Sequence, residues 1–113
     1  MLNIKLCYMY RDYANYKNYG EAIFTNPDMF SLEQIEVTLR TYLLDEEYFY
    51  ASRWGVKDLH FDKFDDEIDH AFHEYLGVEL TQVESTEQLT ITGLLERIIY
   101  SEQGGYENGL YRP

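Results

Sequence analysis

Disulfides, membrane spans and basic surface are all scarce in this chain, and each scarcity removes a class of protein. Cys7 is the one cysteine, so no internal disulfide can form and the fold must rest on a packed core. It sits inside an apolar strand pattern and reads as a small buried hydrophobe. No apolar run approaches the roughly 20 residues that cross a bilayer. The N-terminal sequence MLNIKLCYMY has no basic region followed by a small-residue cleavage site, which argues against a signal peptide. A cytoplasmic protein is expected. Lys and Arg number only 9 against 21 Asp and Glu, for a net charge of −12. Direct nucleic-acid binding is disfavoured, because affinity for phosphate backbones comes from Lys and Arg displacing counterions.

Missing motifs narrow the chemistry further. There is no G-x-S-x-G elbow for a nucleophilic serine, and the serines fall at caps and loops. No glycine-rich phosphate cradle follows a strand. Asp65, Asp66, Glu67 and Asp69 lack the D-x-D-x-D-G register and the twelfth-position Glu of a calcium loop. No enzyme activity and no resident cofactor are expected.

What the chain does have is apolar and aromatic content: 45% hydrophobic residues and 12 tyrosines in 113 residues. That payload offsets the ordering entropy of one domain and is too small for two. A single compact domain over residues 1–101 with a loose tail over 102–113 is expected. The charge is uneven. Residues 1–40 carry five acids and four bases, whereas residues 41–113 carry sixteen acids and five bases.

Along the chain, Ile4, Leu6, Tyr8 and Tyr10 alternate with Lys5, Cys7, Met9 and Arg11, which predicts a central strand. An Asn- and Tyr-rich connection closed by Gly20 leads to a second strand over 21–25, stopped at Asn26-Pro27-Asp28. Ser31 and Gln34 have capping-box spacing, and Leu32, Ile35, Leu39, Tyr42 and Leu43 follow at helical spacing. Asp45, Glu46 and Glu47 make a turn into a strand over 48–53, which Trp54-Gly55 ends. A short strand over 57–61, a loop over 62–67 and a strand over 70–76 that resumes at 78–81 follow. A helix over 66–75 is the alternative. After a polar linker, Thr90 caps a second helix with Ile91, Leu94, Leu95, Ile98 and Ile99 as its stripe; Gly93 weakens it by roughly 1 kcal/mol. The order β-β-α-β-β-α predicts an α+β domain: a four-stranded, mostly antiparallel sheet with both helices on one face. The other, Tyr-rich face is left partly exposed.

The pattern YMYRD–NYK–YGE–IF–NP, then a capped helix, then DH–FHE, resembles a group of small uncharacterised bacterial proteins. Tyr8, Met9, Tyr10, Arg11, Asp12, Asn15, Tyr16, Lys17, Tyr19, Gly20, Glu21, Asn26, Pro27, His70, His73 and Glu74 carry the resemblance, across residues 4–80. It implies a compact stand-alone domain and transfers no site.

The chemistry concentrates in residues 58–79, which hold eight carboxylates and all three histidines. Three readings follow. In the first, Asp62, Asp65, Asp66, Glu67 and Asp69, with Tyr48 and Tyr50 as aromatic anchors, dock on a basic protein surface. Aromatics supply contact area and acids supply complementarity. Its sharper form is an inhibitor of the immunity or anti-defence type that presents carboxylates in place of nucleic-acid phosphates; a homodimer is also compatible. In the second, His60, His70, His73 and Glu74 bind a metal, as a hydrolase or a binding domain. A strand would separate His70 from His73, whereas a helix would bring them together. In the third, Arg11, Tyr16 and Lys17 grip a small ligand.

Overall fold

In the computed structural model, residues 2–102 are described, so most of the expected 102–113 tail lies outside them. The alternation at the N-terminus forms the centre of the fold. Strand β1 (Asn3–Arg11) buries Ile4, Leu6, Tyr8 and Tyr10 to 1% exposure or less. It pairs antiparallel with β2 (Lys17–Phe24) on one side and β4 (His73–Thr81) on the other. A two-residue strand β3 (Tyr48–Phe49) lies beyond β4, giving the order β2-β1-β4-β3. Helices α1 (Leu32–Thr41), α2 (Ala51–Trp54) and α3 (Ile91–Glu102) complete an α+β fold on an antiparallel sheet. One core joins Ile4, Leu6, Tyr8 and Tyr10 to Ile35 and Leu39 of α1, Phe49, Trp54, and Ile91, Leu94 and Ile98 of α3.

The long helices begin where their side chains dictate. Ser31 Oγ accepts from Gln34 N at 3.1 Å, and Gln34 Oε1 accepts from Ser31 N at 2.8 Å, closing the capping box. Thr90 Oγ1 accepts from Gly93 N at 3.1 Å at the start of α3.

Three expectations need correction. The strand over 48–53 stops after two residues and becomes the one-turn helix α2. A strand would point Ala51 and Trp54 to opposite faces; one helical turn buries both, and Trp54 stacks on Phe49 at 4.1 Å. Gly55, at φ +74°, supplies the left-handed cap. The strand over 57–61 does not form either. Side chains satisfy its backbone instead: Tyr8 Oη donates to Lys57 O at 2.8 Å, and Asn18 Nδ2 donates to Leu59 O at 3.0 Å. His73 Nε2 accepts from Leu59 N at 2.9 Å. The coil lies so close that a Cβ on Gly20 would come within 2.9 Å of the Leu59 side chain. Finally, residues 66–75 are not helical, and the last strand starts at His73 instead of residue 70.

That last strand is one piece with a bulge. Cys7 faces Gly77 and Tyr8 faces Tyr75, so Leu76 is the extra residue. Without it, Tyr75 and Val78, three residues apart, would lie on opposite faces; with it, both sit opposite core-facing residues of β1, Tyr8 and Leu6. On the other side of the sheet Lys5 lies between Glu79 at 3.2 Å and Glu21 at 3.6 Å, and Tyr19 is exposed.

Candidate acidic and aromatic interaction site

Residues 56–72 cross the end of the sheet with neither helix nor strand. Two buried tyrosines hold them from below. Tyr8 takes the Lys57 carbonyl, and Tyr10 Oη donates to His70 O at 2.7 Å. Burial raises both phenols to about 12, so both hydroxyls stay protonated donors.

Within this crossing, the acids divide into two kinds. Asp65 and Asp69 are structural acceptors: Asp69 Oδ2 takes Asp65 N at 2.9 Å, Asp69 Oδ1 takes Tyr13 N at 3.1 Å, and Asp65 Oδ1 takes Glu67 N at 3.0 Å. Hydrogen bonds from the Asp65 and Tyr13 amides hold the Asp69 carboxyl below its ordinary range. Asp62, Asp66 and Glu67 are exposed and carry no side-chain hydrogen bond or ion pair among the described residues. The braced loop thus displays three charges with their sites open.

Where the segment runs on from Asp69 through His70 to Phe72, it meets an aromatic shelf. Tyr50 and Tyr48 lie 4.9 and 6.0 Å from the ring of Phe72, and His70 stacks on Phe72 at 5.9 Å. Arg53 sits over Tyr50 at 4.6 Å. Both predicted anchors are therefore gathered, around a Phe72 that sequence reasoning passed over. The shelf borders a shallow cleft of about 360 Å³ lined by Arg11, Glu47, Tyr48, His70, Phe72 and Glu74.

The ligand set is not assembled. Arg11 grips Glu74 through Nε at 2.9 Å and Nη2 at 3.3 Å and also donates to Asn15, so its charge is already matched. Tyr16 and Lys17 lie exposed at the β1–β2 turn.

The histidine set is half assembled. Glu74 pairs with Arg11 on the sheet face opposite His73, since neighbouring strand residues alternate. His70 is exposed against Phe72. His60 and His73 do meet, with ring centres 5.2 Å apart, and Asp58 joins them. Asp58 was missed, although the D-x-H spacing with His60 was visible. His73 is 1% exposed and its pKa is pushed down to about 4, because burial strips water from the charged ring and His60 lies close. It is a neutral imidazole at ordinary pH. A larger cavity, about 620 Å³, runs between α1 and α3 over Phe30, Val37, Leu95 and Ile99 and includes none of the predicted site residues. No helix among the described residues is long and apolar enough to cross a membrane. No family model, curated protein or solved structure matches this chain.

Proposed function

We propose that this protein is a non-enzymatic interaction module that docks its acidic, aromatic end on a basic protein surface. The observation that carries the reading is the division of labour in the loop: Asp65 and Asp69 brace it, which leaves Asp62, Asp66 and Glu67 displayed on the segment that leads into Phe72 of the Tyr48–Tyr50–Phe72 shelf. A preorganised loop loses less entropy on binding, and exposed carboxylates on it complement basic groups while speeding encounter. The shelf supplies rigid aromatic contact area of the kind that dominates interface energetics.

In its sharper form the module is an inhibitor, of immunity or anti-defence type, that occupies a nucleic-acid channel by offering carboxylates where phosphates would sit. The charge of −12 favours such a channel over a neutral surface. The test is capture from a cell extract on the immobilised protein at low and high salt, with competition by DNA or RNA. A basic nucleic-acid-binding protein retained at low salt, lost at high salt and displaced by nucleic acid supports the inhibitor. Retention that ignores both salt and the triple reversal Asp62→Lys, Asp66→Lys, Glu67→Lys defeats the proposal.

A further inference from the structure

The acidic loop is bracketed by a cluster that the interaction surface does not use. Asp58 and His60 precede the loop, and His73 opens β4 after it. One donor atom from each lies within 4.8 Å of the other two. Oδ1 of Asp58 is 3.1 Å from His60 Nδ1 and 3.6 Å from His73 Nε2. Ligands held about 2 Å from a common ion at tetrahedral angles are separated by roughly 3.3 Å, so the two gaps from Asp58 are close to those of a coordination shell, and the two imidazoles lie within 4.8 Å of each other. The far nitrogen of His60, Nε2, faces the Ala71 carbonyl at 3.4 Å, the outer contact that turns the Nδ1 lone pair of a ligating imidazole inward. Asp58 Oδ1 also accepts from His60 N at 2.8 Å, which fixes the carboxylate against the next ligand, two residues on.

We propose that Asp58, His60 and His73 bind a divalent first-row transition ion, with zinc the best match to two imidazoles and one carboxylate. Oxygen-seeking cations such as calcium and magnesium fit the set poorly, because two of its three donors are nitrogens. Without an ion, His73 Nε2 accepts from the Leu59 amide at 2.9 Å. Ion binding exchanges that one hydrogen bond for a metal–nitrogen bond. Leu59 lies between the two ligands Asp58 and His60 in a coil, so its amide is released by rotation of a single peptide unit. Three protein ligands leave a fourth position for water on the side where the Asp58 side chain is 61% exposed. The ion would tie the 56–61 coil to β4 and clamp both ends of the acidic loop. This inference is independent of any partner, and its readouts use metal alone.

The experiment takes protein purified without a tag, dialysed against a chelator, and titrates it with Zn²⁺ by calorimetry and with Co²⁺ by visible absorption. The expected result is one ion per chain, cobalt bands of a low-coordinate nitrogen–oxygen site that vanish on adding zinc, and a melting temperature that rises with ion concentration. His60→Gln and Asp58→Asn should each weaken binding by more than the roughly 10–100-fold that loss of an outer contact costs. His70→Gln should leave it unchanged. His73 is in the core, so it is followed in the wild-type protein through the ¹⁵N shift of its Nε2 on adding zinc. No binding at millimolar ion overturns the proposal. So does binding that survives both ligand variants, or that falls equally in His70→Gln; the cluster is then a set of hydrogen-bonding groups that holds the coil to the sheet.

Discussion

Tyr10→Phe removes one hydroxyl from a side chain with 0% exposure and leaves its ring in place. The ring contacts with His60 at 4.5 Å and His73 at 5.2 Å survive, so the perturbation isolates the 2.7 Å hydrogen bond to the His70 carbonyl. Losing such a bond costs about 0.5–1.5 kcal/mol net, and an acceptor left buried and unpaired adds about 1–3 kcal/mol. His70 is exposed, so water replaces the lost donor and the smaller figure applies. The expected destabilisation is about 1 kcal/mol, or about 4–8 °C in melting temperature for a domain near this size. It should appear as a lower urea midpoint at unchanged slope. Hydrogen exchange locates it: amides of residues 57–70 should lose protection while the β1–β2 ladder keeps it. Tyr8→Phe, which frees the Lys57 carbonyl, should act on the same segment. Unchanged stability, or a loss of protection spread evenly over β1 and β2, would refute the idea that these hydroxyls anchor the crossing.

Acid should weaken the fold through His73. Its folded pKa of about 4 lies below the ordinary 6.5, so between those values the unfolded chain binds the proton more readily. The stability is complete above about pH 6.5 and is lost as pH falls toward 4, on the order of 3 kcal/mol at about 1.4 kcal/mol per unit. Ring NMR titration of metal-free protein checks this, and a His73 midpoint at or above 6.5 contradicts it. Gly77→Ala should cost roughly 1–3 kcal/mol, because Gly77 has φ +133° while no atom crowds an added Cβ. A urea midpoint equal to wild type would show that the bulge tolerates a side chain.

The parts of the fold legible in the sequence were those set by neighbours along the chain. The β1 alternation and the Ser31–Gln34 capping box are local, and local rules read them. Residues 48–53 misled because Tyr, Phe and Tyr favour a strand, while burying Ala51 and Trp54 together required a helical turn. Residues 57–61 misled for a different reason: their hydrogen-bond partners are the side chains of Tyr8, Asn18 and His73, distant in sequence. The break at Gly77 was visible, yet its effect on which residues face the core depends on the β1 register. At the site, the acidic run was conspicuous. That Asp65 and Asp69 brace it, and that His60 meets His73 instead of His70, follows from how the segment crosses the sheet. Such contacts leave no periodic trace.

If the displayed loop acids, and not net charge in general, make the binding surface, reversing charge on the loop must weaken binding more than reversing it elsewhere. Once a basic partner is in hand, its affinity should be measured across salt for two variants of equal charge change. One is Asp66→Lys with Glu67→Lys on the loop; the other is Glu84→Lys with Glu96→Lys, exposed acids elsewhere. The loop pair should lose at least about tenfold in affinity, or roughly 1.4 kcal/mol, and flatten the salt dependence, with the distant pair near wild type. Equal losses in both would contradict it and reduce the acidic surface to a matter of overall charge.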